Sequence, residues 1–241
     1  MNASATPVLL LHGFTGSGAA MAELARPLRA AGFAVLAPDL PGHGAAPLPP
    51  AGATIESAVA AALGELDRRG IASAHWIGYS MGGRVAVAAA LAHPDRLASL
   101  VLVGSSPGIE EEAERRERRE ADEDLARELE AAGLAAFVDR WMGQPFFASQ
   151  RRLGRRRLRL ARAERLSGTA RGYAASLRGM GQGAQPSLWR RLGELRGPVL
   201  LVAGEEDGKY TAIARAMAER IPGARVEVVA EAGHAAHLEA P

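Results

Sequence analysis

Short continuous apolar runs recur along the chain and alternate with segments of helical periodicity. Such runs are typical of strands buried on both faces of a parallel sheet. Six of them are predicted to be strands, at residues 7–11, 33–37, 74–77, 97–103, 198–203 and 225–229. Helices are predicted between them, at residues 18–31, 54–69, 84–92 and 210–220. Because strands that alternate with helices form parallel sheets with right-handed crossovers, the pattern predicts an α/β fold.

The segment between the fourth and fifth predicted strands has a different pattern. From Gly104 to about Arg191 it shows helical charge patterns broken by Gly and Pro, and no strand signal. The chain is therefore predicted to have an α/β core at residues 1–104 and 192–241, with an inserted helical cap at residues 105–191.

Charge is unevenly distributed within this insertion. Residues 110–130 hold eleven acids and five arginines, whereas residues 151–165 hold eight arginines and one acid. We expect these two segments to pack within one cap, so that their charges offset each other. No aromatic residues interleave the basic run, and the formal net charge of the whole chain is only +2. Nucleic acid is therefore not an expected partner.

The composition of the chain excludes several classes of protein. The 241 residues, 48% of them hydrophobic, are enough for one large domain with its own core. Because the chain contains no cysteine, it has neither a disulfide framework nor a thiolate metal site. It shows no signal-peptide pattern and no apolar run near the ~18 residues that a membrane span needs. We expect a cytoplasmic protein without a membrane span, a metal or a cofactor.

The main candidate for chemistry is a serine flanked two residues away on each side by Gly78 and Gly82. An apolar run precedes Ser80 and a helical pattern follows it, which is typical of a sharp strand-to-helix turn that exposes the serine hydroxyl. Glycine suits the flanking positions because a side chain there would meet the adjoining strand and helix. The backbone N–H groups of Met81 and Phe14 are predicted to form an oxyanion hole.

A serine hydroxyl becomes reactive when a histidine takes its proton and a carboxylate orients that histidine. Candidate partners follow the last two strands, in the order serine, acid, histidine that accompanies this turn. We select Asp207 as the acid, with Glu206 as the alternative. We select His234 as the histidine, with His237 as the alternative.

Several motifs resemble those of the α/β-hydrolase superfamily: LLHGFTG at residues 10–16, PDLPGHG at 38–44, GYSMGGR at 78–84 and AGH at 232–234. The insertion resembles one branch of it, the 2-succinyl-6-hydroxy-2,4-cyclohexadiene-1-carboxylate synthases (MenH) of menaquinone biosynthesis. That likeness is carried by SPGI, the charged run at 111–122, FVDRW, QPFFAS and GQGAQPSLW. It implies a mostly parallel sheet with helices on both faces and a helical cap.

The resemblance also implies a reaction. In that family pyruvate is eliminated from an enolpyruvyl ether, and the triad-activated serine serves as the base, so Ser80 would take a proton from the substrate ring. The substrate is a small polycarboxylate, for which arginine is a suitable partner. The residues that the resemblance assigns to substrate binding are Tyr79, Arg84, Arg118, Trp141 and Arg165.

Some features leave alternatives open. The chain ends at Pro241, where the family adds a closing helix, and it begins almost on the central strand, so we expect shortened terminal elements and a partly bare sheet face. A carboxylesterase or C–C-bond hydrolase would use Ser80 as a covalent nucleophile instead. A non-catalytic binding module could also have this fold. The sequence leaves the oligomeric state open.

Overall fold

The computed structural model describes residues 6–240, and at its centre lies a parallel sheet of six strands. The strands lie in the order β2-β1-β3-β4-β5-β6, and all five neighbouring pairs are parallel. Their bounds are β1 (Val8–Leu11), β2 (Val35–Leu36), β3 (Ala74–Tyr79), β4 (Leu97–Val103), β5 (Val199–Gly204) and β6 (Arg225–Val229). The six predicted strands are thus confirmed, although β2 is shorter than its apolar run.

Nine α-helices occur among residues 6–240. They are α1 (Ala22–Ala30), α2 (Ile55–Asp67), α3 (Met81–Ala92), α4 (Glu112–Ala132), α5 (Leu134–Met142), α6 (Gly154–Arg165), α7 (Ala170–Met180), α8 (Gly208–Ala218) and α9 (Ala236–Glu239). Short 3-10 segments lie at Gly18–Met21, Pro94–Arg96, Pro145–Leu153 and Trp189–Glu194. No helix in this part of the chain has both the length and the apolar character to cross a membrane.

The helices of the core cover both faces of the sheet, as the alternation of side chains in β1 shows. Leu9 and Leu11 belong to a buried cluster that also contains side chains of α2, α3 and α8. Val8 and Leu10 point to the opposite face and pack against Met21 and the first turns of α1. Because every residue of β1 is buried, a continuous apolar run was the correct pattern for this strand.

A side-chain cap defines the start of α2, at the position predicted from the sequence. Thr54 precedes the helix, and its hydroxyl accepts a hydrogen bond from the Ser57 N–H at 3.1 Å. In return, the Ser57 hydroxyl accepts one from the Thr54 N–H at 2.8 Å. This reciprocal pair satisfies two backbone donors that a helix start would otherwise leave free.

Residues between β4 and β5 are helical and contain no strand, as the charge pattern predicted. The acidic and basic segments lie in one helical insertion, as predicted, and pack on different helices within it. α4 packs mainly on α7 and α5, whereas α6 packs on the 3-10 segment Pro145–Leu153 and on α5. Accordingly, Arg178 of α7 pairs with Glu123 of α4 at 2.8 Å, while Arg162 of α6 pairs with Asp139 of α5. The ion pairs of these segments therefore join neighbouring helices.

Candidate active site

Ser80 stands at a sharp turn between β3 and α3. Its backbone angles are φ 50° and ψ −110°, a left-handed conformation that costs a residue with a side chain some strain. A Cβ on Gly78 would lie 2.5 Å from the Gly82 carbonyl oxygen, and a Cβ on Gly82 would lie 2.3 Å from the Leu11 carbonyl oxygen. Glycine at both positions therefore lets strand, turn and helix approach closely enough to present the serine.

This crowding yields a stability prediction. Replacing Gly82 with alanine is expected to lower the free energy of unfolding by about 3 kcal/mol or more, because the new methyl group meets backbone that has no free space to move into. Gly64 in α2 is the matched control, since the nearest group to its added Cβ is the end of the Arg68 side chain at 3.5 Å. Gly64→Ala is expected to raise the same quantity by about 0.5–1 kcal/mol. Urea denaturation of both variants checks this; equal effects would contradict it.

Ser80, His234 and Asp207 form a continuous hydrogen-bonded chain. His234 Nε2 lies 3.1 Å from Ser80 Oγ, and His234 Nδ1 lies 2.6 Å from Asp207 Oδ2. The His234 and Asp207 side chains are only 5% and 10% exposed. Asp207 also caps α8, because its Oδ1 accepts a hydrogen bond from the Tyr210 N–H at 3.4 Å. The carboxylate can thus hold Nδ1 in its protonated form and leave Nε2 to accept the serine proton.

The alternative candidates for the acid and the histidine make other contacts. Glu206 is exposed and pairs with Arg152 at 2.9 Å. Glu205 is also exposed, and its Oε2 accepts a hydrogen bond from the Glu231 N–H at 3.1 Å. The His237 ring packs against Tyr79 at 4.4 Å between centroids, and its Nδ1 has no hydrogen-bond partner within residues 6–240. The geometry therefore favours Asp207 and His234 as the partners of Ser80.

The predicted oxyanion hole lies on two segments that the fold brings to Ser80. Met81 is the first residue of α3, so its N–H faces the open end of that helix. Phe14 lies in the loop after β1, whose residue Gly13 would place a Cβ 3.5 Å from the Ser80 Cβ. Neither the Phe14 nor the Met81 N–H donates to a backbone carbonyl within residues 6–240. Both donors are thus available to a developing negative charge.

His12 holds the loop that carries Phe14. Burial lowers the pKa of His12 to about 4, so the ring is neutral at pH 7. Its Nδ1 donates to the Gly13 carbonyl at 2.8 Å, and its Nε2 accepts from the Leu40 N–H at 2.9 Å. His12 therefore has a structural role in this loop, because both ring nitrogens are occupied by backbone groups.

Two of the predicted substrate-binding arginines lie together. Arg84 and Arg118 line a small cavity of about 40 Å³, together with Trp141, Phe14 and Met81. Arg84 is 6% exposed. Because of this burial, its pKa falls to about 10, but the guanidinium still carries its charge at neutral pH.

Neighbouring polar groups orient both guanidinium groups. The Arg84 Nη1 donates to Gln185 Oε1 at 2.9 Å, and the Arg118 Nε donates to Asp122 Oδ1 at 2.8 Å. Asp122 is 1% exposed and also accepts from the Gly183 N–H at 3.3 Å. With each arginine tied at one nitrogen, its remaining donors are held in a defined direction.

Arg165 and Tyr79 line a different, larger cavity. Arg165 lies over the Phe147 ring at 5.6 Å, and its Nη1 donates to the Ala161 carbonyl oxygen at 2.9 Å. Tyr79 also packs against the His234 ring at 5.5 Å, so its ring forms part of the boundary between that cavity and the triad. Of the five predicted substrate-binding residues, the structure therefore brings three together and places two elsewhere.

Aromatic side chains around His234 were missed by the sequence analysis. The Tyr210 ring lies 4.6 Å from the His234 ring, and the Phe146 ring meets it edge-on at 5.5 Å. Gln185 and Asp122, which orient the arginines, were also missed. Each lies within a motif that carried the family resemblance, but nothing in its local pattern indicated a polar contact across the fold. No group of three or more His, Asp or Glu residues in the described part of the chain could hold a metal ion.

Comparison with known proteins shows the family to which this chain belongs. A family model described as the alpha/beta hydrolase fold matches residues 6–241. A putative 2-succinyl-6-hydroxy-2,4-cyclohexadiene-1-carboxylate synthase of Bacillus subtilis (strain 168) is 40% identical over 236 residues, which are 97% of this chain and 85% of that protein. The chain belongs to the MenH family of α/β-hydrolases. This confirms the family and the fold that its motifs indicated.

Solved structures show the same relation. The structure of MenH from S. aureus matches this MenH-family chain with a TM-score of 0.91 and 34% identity, covering 99% of this chain and 90% of that one. A thermophilic esterase from Thermogutta terrifontis, solved with malate bound, matches with a TM-score of 0.86 and 28% identity over 98% of this chain and 85% of that chain. Enzymes that are named for different activities thus share this fold. The function of this chain must therefore be argued from its site.

Proposed function

We propose that this chain is a carbon–oxygen lyase of menaquinone biosynthesis. It converts 2-succinyl-5-enolpyruvyl-6-hydroxy-3-cyclohexene-1-carboxylate to 2-succinyl-6-hydroxy-2,4-cyclohexadiene-1-carboxylate and pyruvate. The observation that carries the proposal is the hydrogen-bonded Ser80–His234–Asp207 chain beside a cavity lined by two arginines, in a member of the MenH family. No cofactor enters this reaction.

In the proposed mechanism Ser80 is the base. His234 Nε2 accepts the hydroxyl proton of Ser80, and Asp207 stabilises the imidazolium that forms. The serine oxygen takes a proton from the substrate ring, and the electron pair of that C–H bond forms the new double bond. The C–O bond to the enolpyruvyl group breaks and its electron pair leaves on the oxygen as pyruvate enolate. The proton held by His234 then passes to the enolate carbon, which gives pyruvate and restores the neutral imidazole. The N–H groups of Phe14 and Met81 stabilise the negative charge that develops.

The arginines account for the preference for a substrate with several carboxylates. Arg84 is buried and charged, and a buried charge is costly unless an anion or another polar group pairs with it. Its hydrogen bond to Gln185 satisfies one donor, which leaves the others for a carboxylate. Arg118 lines the same cavity and can pair with a second carboxylate. Tyr79, Trp141 and Arg165 keep the substrate-binding role that the family resemblance implies as part of this proposal.

Pyruvate release from the enolpyruvyl substrate tests the proposal directly. We expect turnover coupled one-to-one to formation of the diene product, together with little hydrolysis of p-nitrophenyl esters and little labelling by a fluorophosphonate. Rapid ester hydrolysis and labelling of Ser80 without pyruvate release would instead favour a hydrolase with a covalent serine. No turnover of either substrate would favour a binding module.

A substitution of Arg118 tests its role in binding. Arg118→Ala is expected to raise KM about 10-fold with kcat changed less than about threefold, because a carboxylate far from the reacting bond is held equally in the ground and transition states. Arg116→Ala is the matched control, since Arg116 is an exposed residue of the same helix. Steady-state kinetics of pyruvate release measures both. A fall in kcat with unchanged KM would contradict this role for Arg118.

A further inference from the structure

A side chain of the cap helix α7 contacts the loop that carries Phe14. Tyr173 is 1% exposed, and its hydroxyl oxygen lies 2.9 Å from the Thr15 carbonyl oxygen and 2.8 Å from the Arg165 carbonyl oxygen. Burial raises the pKa of Tyr173, so the hydroxyl keeps its proton at neutral pH. The hydroxyl therefore donates, and the two carbonyls share its one proton. Through this group, the loop after β1 is joined to the end of α6.

The loop after β1 contains a tight turn with a strained residue. The Gly16 N–H donates to the Gly13 carbonyl oxygen at 3.0 Å, which leaves Phe14 and Thr15 as the central residues of the turn. Thr15 has φ 64°, a left-handed conformation that only two other non-glycine residues among residues 6–240 adopt. Such a conformation is costly for a β-branched residue and persists only where its surroundings hold it.

Both ends of one peptide unit in this turn are held by hydrogen bonds. The peptide between Thr15 and Gly16 carries the N–H that donates to Gly13 and the C=O that accepts from Tyr173. Because a peptide unit is planar, it rotates as a whole, and rotation would break both hydrogen bonds together. Phe14 lies inside the same turn, so rotation would also redirect its N–H.

Close packing keeps Tyr173 in this position. A Cβ on Gly168 would overlap the Tyr173 hydroxyl, and a Cβ on Gly172 would overlap the Gly42 carbonyl oxygen. Glycine at position 168 thus leaves room for the hydroxyl, and glycine at position 172 lets α7 lie directly on the backbone of a core loop. The Tyr173 ring also packs on the His43 ring, with 5.1 Å between centroids. The hydroxyl is therefore fixed beside the turn.

We propose that Tyr173 is a positioning residue for the oxyanion hole, whose hydroxyl holds the Thr15–Gly16 peptide and thereby the direction of the Phe14 N–H. Tyr173 lines neither the cavity of Arg84 nor that of Arg165, so it acts through the loop and not on the substrate. The expected effect on rate rests on the proposed elimination, whereas the hold on the loop can be measured without substrate.

Tyr173→Phe removes the hydroxyl and keeps the ring, which lies 5.6 Å from the Phe14 ring. We expect kcat for pyruvate release to fall about 5- to 10-fold, the factor that corresponds to one hydrogen bond, with KM changed less than about twofold. The two constants differ because the Phe14 N–H acts on charge that develops in the transition state, while Arg84 and Arg118 are unchanged. An unchanged kcat, or a raised KM alone, would overturn the proposal.

Hydrogen exchange of the free protein measures the hold on the loop without turnover. In Tyr173→Phe we expect the Gly16 N–H, observed in a peptide that covers residues 12–18, to exchange at least 5-fold faster than in the unaltered chain. Unchanged exchange would overturn the proposal whether or not pyruvate is released. Faster exchange in a chain that releases no pyruvate would support the hold on the loop and count against the proposed function alone.

Ser99→Ala is the matched control. Ser99 is half-buried near the amino end of β4, and its hydroxyl lies 2.8 Å from His75 Nδ1, so this variant also loses one side-chain hydrogen bond but leaves the loop untouched. We expect its kcat, its KM and the exchange of residues 12–18 to stay within about twofold of the unaltered chain. Equal falls in kcat for the two variants would reflect a general loss of stability and would overturn the role of Tyr173.

Gly168→Ala gives a second test should Tyr173→Phe prove poorly folded by circular dichroism. The added methyl group displaces the Tyr173 hydroxyl without removing it. We therefore expect changes in the same direction, with a lower kcat, little change in KM and faster exchange of the Gly16 N–H. If the folded variant kept both its kcat and its slow exchange, the proposal would be overturned.

Discussion

Replacing Ser80 with alanine is expected to lower kcat for pyruvate release by about 10²- to 10⁴-fold, the usual contribution of a positioned acid–base group. The reason lies in the hydrogen-bonded chain, because the variant lacks the hydroxyl that His234 Nε2 contacts at 3.1 Å and therefore lacks the proposed base. Substrate binding is expected to persist, since Arg84 and Arg118 are unchanged. Steady-state kinetics and direct titration of substrate onto the variant measure the two effects separately.

Ser106→Ala is the matched control for this prediction. Ser106 is also a buried serine near the carboxyl end of the sheet, but its hydroxyl accepts only a long hydrogen bond, 3.4 Å, from the Gly108 N–H. We expect this control to keep kcat within about threefold of the unaltered chain. Retention of full activity by Ser80→Ala would exclude the serine as base and would require another group to take the proton.

Local chemistry explains why most of the fold could be predicted. Strands buried on both faces need apolar side chains at every position, and the four residues of β1 all meet that demand. The turn at Ser80 needs glycine at two defined positions for steric reasons, so a short motif sufficed to place it. β2 was overestimated because only Val35 and Leu36 pair with β1, although the apolar run around them is longer.

The contacts of the charged side chains could not be predicted from the sequence in the same way. Arg84 is buried because Gln185, 101 residues away in sequence, reaches its guanidinium. Nothing in the spacing of arginines indicated that α6 would face α5 rather than α4, or that Arg165 would line a cavity apart from Arg84. Such contacts depend on how helices meet in three dimensions, and an arginine gives the same local signal wherever its partner lies.

The second large effect is a loss of folded stability at low pH, which is expected because three histidines are buried. His12, His43 and His237 are at most 7% exposed. Burial lowers the pKa of His12 to about 4 and those of His43 and His237 to about 3. In the unfolded chain these groups have a pKa of about 6.5. Above pH 6.5 they are neutral in both states, so they impose no penalty there.

As pH falls below 6.5, the unfolded state binds protons that the folded state does not, so folded stability is lost. At pH 5 the expected loss is about 2 kcal/mol for each histidine and about 6 kcal/mol for the three together. For a domain of typical stability this is a large fraction of the total. Urea denaturation at pH 7.5 and pH 5.0 measures the loss, which also includes contributions from carboxylates.

A single substitution separates the histidines from those carboxylates. His43→Phe keeps an aromatic ring against Tyr173 and Phe14 but has no site for a proton. The drop in stability between pH 7.5 and pH 5.0 is therefore expected to be about 2 kcal/mol smaller than in the unaltered chain. His93→Phe, at an exposed position, is expected to leave the drop nearly unchanged. The same drop in both variants would mean that His43 takes up its proton as readily in the folded state as in the unfolded chain.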